Sequence, residues 1–215
     1  MSVFDRPIVT LDFETTGLSP AMGDRITEVA ALRIVDGRIT DRYVSLINCN
    51  ARIPSFITQL TGISQAMVDS APPVRRVVPE LLDLIGSDIL SAHNASFDEK
   101  FLKAEAERLD LAPAHQALVC SLKLSRRLFP GMPSYKLGVL SRQLGIAFRS
   151  AAHRAEADAE VSAELLIHIA RHLGQSVGVP QVESSLLVSV NKLAAAKVPA
   201  FLDKYAQAKK TTTAD

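Results

Sequence analysis

Four carboxylic acids and one histidine occur in three short motifs that are far apart along the chain. The motifs are Asp12-Phe13-Glu14-Thr15-Thr16-Gly17, His93-Asn94-Ala95-Ser96-Phe97-Asp98 and His153-Arg154-Ala155-Glu156-Ala157-Asp158. Carboxylates crowded within about 4–6 Å disfavour each other's ionised forms, and divalent cations relieve that repulsion. Oxygen ligands without cysteine favour Mg²⁺ or Mn²⁺, and two such ions can catalyse in-line cleavage of a phosphodiester. If the motifs converge, the sequence predicts a two-metal site for phosphodiester hydrolysis.

The first motif lies at the end of an apolar, β-branched run over residues 8–13, which predicts a central strand. Side chains two positions apart on a strand share a face, about 6.6–6.8 Å apart along it, so Asp12 and Glu14 can reach one metal ion. The alternative is a pair of solvated acids at a strand end. The small residues Thr15 and Thr16, with Gly17 permitting a positive φ, predict close approach of a nucleotide end near Leu18.

The second motif follows a short apolar strand predicted at residues 89–92. A helix starting near Ala95 would place Asp98 in its first turn, at the carboxyl edge of the sheet where α/β proteins usually place their sites. The alternative for Asp98 is a purely structural interaction with the helix dipole, worth about 0.3–1 kcal/mol. His93 could equally be a packed histidine, and Asn94 a helix N-cap.

In the third motif, His153 and Asp158 cannot share one face of a regular helix. Five helical residues turn the chain by about 500°, which leaves these two positions roughly 140° apart. We therefore expect His153 to lie on the loop before a helix over residues 155–173, and Asp158 on the helix itself. An imidazole with a pKa near 6.5 can take a proton from water, while the carboxylate holds a metal. The alternatives are a surface histidine and a solvated helix face.

Five strands and several amphipathic helices are expected to position these motifs. Strand-like runs at residues 26–35 and 43–47 flank Asp36-Gly37, which predicts an antiparallel hairpin, and a last strand is expected at 117–120. Helical periodicity is found at residues 77–86, from 95 onward, at 121–128, at 134–144 with Ser134 as N-cap, and at 155–173. This order is typical of an α/β fold with a mixed five-stranded sheet flanked by helices.

The C-terminal part has a different pattern, which divides the chain into residues 1–173 and 174–215. Residues 174–180 contain two glycines and a proline and are predicted to be a linker. Two apolar helical stripes follow, which indicate either a helical hairpin packed on the main domain or a docking segment for a second copy or a polymerase. Residues 210–215 are expected to be disordered.

Composition limits the function classes. With 215 residues and a formal net charge of +1, the chain fits one domain with an extension, and it lacks the basic field of a protein that coats DNA. Cys49 and Cys120 form no zinc motif and are expected to be free thiols. The sequence contains no signal-peptide core and no apolar run of about 18 residues, so we expect no membrane association and a cytoplasmic location.

Taken together, the three motifs resemble those of the DnaQ-like 3′-to-5′ exonucleases of the DEDDh type, the family of the DNA polymerase III epsilon subunit and ribonuclease T. The resemblance covers residues 8–173. It implies an RNase H-like fold, two metal ions (Mg²⁺ or Mn²⁺), and release of 5′-mononucleotides from a free 3′ end. Carried over residue by residue, the resemblance implies metal ligands at Asp12, Glu14, Asp98 and Asp158, a general base at His153, and contacts to the terminal nucleotide from Thr15, Thr16, Leu18 and Phe97.

From these observations, we expect an exonuclease that acts on single-stranded DNA 3′ ends in proofreading or repair, with substrate contacts that include Gly17, His93 and Asn94. An exoribonuclease that trims RNA is the alternative within enzymes, since one sequence does not reveal how the pocket treats a 2′-OH. A non-catalytic partner-binding module on the same fold is the alternative outside enzymes.

Overall fold

The computed structural model describes residues 3–146 and 154–212, and its centre is a five-stranded mixed sheet of order β3-β2-β1-β4-β5. The strands are β1 (Ile8–Thr15), β2 (Ile26–Val35), β3 (Arg38–Leu46), β4 (Ile89–Ala92) and β5 (Leu118–Cys120). Strand β1 pairs antiparallel with β2 and parallel with β4, and β4 pairs parallel with β5. The α/β class and the mixed five-stranded sheet predicted from the sequence are confirmed.

Helices cover both faces of this sheet. They are α1 (Ser55–Thr61), α2 (Gln65–Asp69), α3 (Val74–Ile85), α4 (Ser96–Glu107), α5 (Ser121–Leu128), α6 (Leu137–Gln143), α7 (Ala155–Val177), α8 (Ser184–Lys192) and α9 (Val198–Thr212). Helices α3 and α4 enclose one apolar core with β1 and β2, while α7 dominates a second core on the opposite face. Cys49 and Cys120 are buried free thiols, as expected.

Two boundaries differ from the sequence predictions. Helix α7 continues to Val177, so residues 174–177 are not a linker, and the chain turns only at Gly178 with φ +73°. Gly174 is required inside the helix because a Cβ there would lie 2.8 Å from the carbonyl oxygen of Val179. Helix α6 begins at Leu137, and the Ser134 hydroxyl accepts from the Lys136 N–H in the preceding turn instead of capping a helix.

The C-terminal helices are part of the main fold. Their apolar residues share one core with α7, and the N–H of Val182 donates to the carbonyl of Val3. The Asn191 side chain accepts a hydrogen bond from the N–H of Cys120, on the strand at the edge of the sheet. Helix α9 runs to Thr212, so the expected disorder from residue 210 is wrong for residues 210–212, and residues 213–215 lie outside the described residues. Within the described ranges, no helix has the length and apolarity to cross a bilayer.

Candidate active site

Three of the predicted carboxylates meet at the carboxyl end of β1. Oxygen atoms of Asp12, Glu14 and Asp158 all lie within 4.8 Å of one another. Asp12 and Glu14 share one face of the strand, and Asp158 reaches them from the first turn of α7, which packs across β1 and β2. The alternation of side chains along β1 and the position at which α7 begins together explain why Asp12 and Asp158, which are 146 positions apart, converge.

The fourth carboxylate, Asp98, also contacts β1. Its Oδ1 atom accepts a hydrogen bond of 3.2 Å from the N–H of Phe13, the residue between Asp12 and Glu14. Asp98 lies in the first turn of α4 and is buried. The carboxylate also accepts from the N–H of Asp98 itself, so it bonds to the first turn of its own helix and to β1 at once, and a helix-dipole interaction is compatible with a place in the acidic group.

Burial and neighbouring acids oppose the ionisation of Asp12, Glu14 and Asp98. Burial raises the pKa of Asp12 well above its ordinary value, and the charges of Asp98, Asp158 and Glu14 raise it further. Burial followed by the charge of Asp158 raises the pKa of Glu14 to about 7, although Arg154 opposes this increase. Burial raises the pKa of Asp98 to about 8 despite the hydrogen bond from Phe13.

Divalent cations fit this set of donors. Mg²⁺ and Mn²⁺ prefer hard oxygen ligands such as carboxylates. A bound cation would also offset the mutual repulsion that opposes the ionisation of these converging acids. Glu28 also raises the pKa of Asp12 and Glu14 because it lies directly opposite Glu14 on β2.

The predicted general base, His153, lies outside the described residues, but the residue that follows it is firmly held. The Arg154 guanidinium donates from Nε and Nη2 to the buried carboxylate of Glu28. The same carboxylate accepts a 3.0 Å hydrogen bond from the N–H of Ala155, at the start of α7. Glu28 therefore fixes the entry to the helix that carries Asp158.

Asp24 shapes the loop that follows β1. The carboxylate of Asp24 accepts a 2.9 Å hydrogen bond from the N–H of Ser19, and a Cβ on Gly17 would lie 2.4 Å from Asp24 Oδ1. Gly17 does not adopt the positive φ that a glycine permits, and the residue is needed instead for this close approach. Thr16 is buried, whereas Leu18 is 79% exposed beside the acidic group.

The remaining predicted substrate residues differ in their surroundings. His93 Nε2 donates to the carbonyl of Tyr135 and Nδ1 bonds the Ser121 hydroxyl, both at 2.9 Å, so neither ring nitrogen points to solvent. Asn94 is exposed with φ +74°, a conformation costly for most residues and often found at functional sites. Phe97 is half-buried, and the Lys100 ammonium lies 4.8 Å from its ring centroid.

Several residues that shape the site were missed in the sequence. Lys100 donates to the carbonyl of Leu18 and so joins α4 to the loop that follows β1. Glu105 pairs with Arg25, whose N–H donates to the Thr16 hydroxyl. Glu28 had a detectable signal, because an acid within the apolar run of β2 requires a buried partner.

Comparison with known proteins agrees with this geometry. The sequence profile of the RNase T family, described as exonuclease, matches residues 9–166. The 3′-5′ exonuclease DinG of Bacillus subtilis is 40% identical over 167 residues, which cover 78% of this chain and 18% of that protein. The PolC-type DNA polymerase III of Caldanaerobacter subterraneus is 37% identical over 174 residues, which cover 81% of this chain and 12% of that protein.

A solved structure of exonuclease X in complex with 5′-overhanging duplex DNA has a TM-score of 0.66 and 26% identity, and the match covers 86% of this chain and 99% of that one. The chain spans less than a fifth of the length of the two curated relatives. The family profile nevertheless covers most of the chain and includes β1 and the start of α7. The chain therefore belongs to the RNase T family of DEDD 3′-to-5′ exonucleases, which are hydrolases.

Proposed function

We propose that this chain is a metal-dependent exonuclease that releases 5′-mononucleotides from DNA 3′ ends, in proofreading or repair. The observation that carries the proposal is the convergence of Asp12, Glu14 and Asp158 on one point at the carboxyl edge of the sheet. Burial and mutual repulsion make it unfavourable for ionised acids to converge, and a bound cation would offset that cost.

In this proposal, the four carboxylates Asp12, Glu14, Asp98 and Asp158 hold two Mg²⁺ or Mn²⁺ ions. When bound, such ions supply Lewis-acid stabilisation of the developing charge and lower the pKa of water. His153 accepts a proton from the attacking water. The next residue, Arg154, is held by Glu28 at the start of α7.

The terminal nucleotide would bind between the loop after β1 and the first turn of α4. Thr15, Thr16 and Gly17 bring backbone groups near the acids, and the exposed Leu18 side chain offers an apolar surface to a base. Phe97 and Asn94 border the same region. We assign His93 a positioning role, because both of its ring nitrogens bond to protein atoms.

DNA is favoured over RNA by the names of the relatives, which are a DNA polymerase III and an exonuclease solved with duplex DNA. An exoribonuclease remains the alternative, because the treatment of a 2′-OH depends on contacts that only a bound substrate would reveal. A non-catalytic module is disfavoured, since binding a partner does not require four converging acids.

For the domain organisation, we propose residues 1–173 as the exonuclease domain and 174–215 as an extension that completes it. The extension packs its apolar residues into the core around α7 and bonds to both Val3 and Cys120. These contacts favour an intramolecular role for the C-terminal helices over docking to a second copy or a polymerase.

The test uses 5′-labelled DNA and RNA oligonucleotides of the same sequence, incubated with Mg²⁺, Mn²⁺ or EDTA. We expect a ladder of shortening products from the DNA with either cation, none in EDTA, and 5′-mononucleotides as the released species. A 3′-phosphorylated oligonucleotide and the Asp12→Ala variant serve as controls and should remain intact. Internal cleavage, or turnover in EDTA, would overturn the proposal, and faster shortening of RNA would select the alternative.

A further inference from the structure

His93 and Asn94 line a cleft whose basic residues have not been given a role above. It has a volume of about 640 Å³, within the range of about 300–1,000 Å³ typical of ligand-binding clefts. The residues that matter here, which we call the Arg126–Lys136 cleft, are His93, Asn94, Arg126, Ser134, Tyr135 and Lys136. None of the residues that line the cleft is acidic.

The cleft carries two cations on different elements. Arg126 projects from α5 and Lys136 precedes α6, and both side chains are exposed. Neither forms an ion pair with a carboxylate of the described ranges, whereas Arg127 next in sequence donates to the carbonyl of Leu193 and points elsewhere. The Arg126 guanidinium lies 5.8 Å from the centroid of the Tyr135 ring, which orients it at the cleft.

The walls of the cleft are fixed before any ligand binds. His93 holds the carbonyl of Tyr135, and burial lowers the pKa of His93, which keeps the ring neutral. The Ser134 hydroxyl accepts from the Lys136 N–H, so the turn that carries the lysine is stabilised from within. A preformed site loses less conformational entropy on binding than a mobile one.

The location of the cleft identifies its ligand. His93 and Asn94 follow β4 and lead into α4, the helix that carries Asp98. The parallel strand β1 ends at the same edge of the sheet, where it carries Asp12 and Glu14. A ligand in the cleft is therefore continuous with one at the acidic group. Two cations spread along a path from a phosphodiester-cleaving site fit a chain of phosphates better than one isolated anion.

We propose that the Arg126–Lys136 cleft binds the sugar–phosphate backbone of the substrate strand on the 5′ side of the scissile bond. The proposal rests on the proposed exonuclease function and adds the path by which the strand reaches the acids. It predicts that the cleft contributes to binding of oligonucleotides and not to hydrolysis of a substrate that ends at the scissile phosphate.

The test compares two substrates in the full chain with Mn²⁺. One is a single-stranded deoxyoligonucleotide, and the other is the p-nitrophenyl ester of thymidine 5′-monophosphate, which has no upstream strand. For the Arg126→Ala/Lys136→Ala variant, we expect KM for the oligonucleotide to rise on the order of tenfold at 0.1 M salt. Its kcat/KM for the ester should remain within about twofold of wild type, because both side chains are on the surface and neither would contact a substrate that lacks the upstream strand. The control is Arg38→Ala, an exposed arginine at the opposite edge of the sheet.

A second measurement keeps the proposal falsifiable if kcat also changes. The dependence of oligonucleotide affinity on salt, measured by fluorescence anisotropy in EDTA, should be shallower in the double variant by about 1.4 in log–log slope, about 0.7 for each lost phosphate contact. An unchanged slope and KM would overturn the cleft assignment while leaving the proposed function intact. Failure of the wild-type chain to hydrolyse either substrate would instead refute the proposed function.

Discussion

The arginine-paired carboxylates of this domain and the carboxylates of the acidic group have opposite surroundings. Glu28 and Glu105 are 2% and 1% exposed, and each faces an arginine that donates two nitrogens to it. Asp98 is 4% exposed and Asp12 is half-buried, yet the charges that face Asp12 are other acids. Paired carboxylates therefore support the structure, and unpaired ones mark the place where a cation has to enter.

The difference follows from the cost of burying a charge. An isolated carboxylate in a protein interior is so unfavourable that its pKa rises, unless a partner with good geometry stays nearby. The pairs Arg25–Glu105 and Arg154–Glu28 supply that partner permanently. For Asp12, which faces other acids, a divalent cation would supply that partner, so activity and metal-free stability make opposite demands on this residue.

The largest effect that tests this contrast is expected from Asp12→Asn. Without the charge, the site loses a metal ligand, and we expect nucleotide release to fall by at least about 10³-fold, which corresponds to roughly 4 kcal/mol of transition-state stabilisation. In EDTA at pH 8, the same substitution should raise the melting temperature, because the burial of an unpaired charge is relieved. Activity assays and thermal melts on one preparation measure both. A lower melting temperature would contradict the contrast.

Next in size is the loss of a paired carboxylate. Glu105→Ala leaves Arg25, only 21% exposed in its side chain, without its partner, and we expect a loss of about 3 kcal/mol in the free energy of unfolding. Arg25 also donates to the carbonyl of Cys49 and, from its backbone N–H, to the Thr16 hydroxyl. The loop that follows β1 therefore keeps its hydrogen bond to the Arg25 backbone in this variant. Urea denaturation measures the loss, and kcat should fall far less than in Asp12→Asn.

Glu105→Gln is the matched control, because it keeps the shape and one acceptor oxygen for Arg25 while it removes the charge. It should destabilise the protein less than Glu105→Ala does. If both variants unfold at the wild-type urea concentration, the Arg25–Glu105 pair does not stabilise the fold.

A smaller loss of stability is expected at the other pair. The Arg154 side chain is 43% exposed, so water can solvate it when Glu28→Ala removes its partner. We therefore expect a loss of about 2 kcal/mol in the free energy of unfolding, below the range for a fully buried pair. Unlike the Glu105 variants, Glu28→Ala should also lower kcat, because Glu28 holds the N–H of Ala155 and the residue after His153. Steady-state kinetics at saturating oligonucleotide separate kcat from KM, and an unchanged kcat would restrict Glu28 to a stabilising role.

The acids of the site could be found in the sequence because their spacing follows strand and helix geometry. The alternation along β1 places Asp12 and Glu14 on one face, and the angle between positions 153 and 158 places the start of α7 between them. The paired carboxylates were invisible to the same reasoning, because Arg25 and Glu105 are 80 positions apart and follow no local period.

Short helices and element ends were also hard to predict. Helices α1 and α2 contain seven and five residues, too few to display a 3.6-residue period, and were not predicted. The end of α7 was placed too early because Gly174 is a helix breaker by propensity. In the structure, a tertiary contact with Val179 requires a residue without Cβ at that position.

The smallest predicted effect is a dependence of metal stabilisation on pH. The pKa of Asp98 is raised to about 8 and that of Glu14 to about 7, against about 4 in an unfolded chain. The folded state therefore binds more protons between pH 4 and 8, so the metal-free protein loses stability as pH rises through this window. Bound cations remove the need for those protons. The increase in melting temperature on addition of Mg²⁺ should thus be a few degrees larger at pH 8.5 than at pH 6, and this difference should shrink in Asp98→Asn. An increase that is equal at both pH values would show that the carboxylates of the site are already ionised without metal.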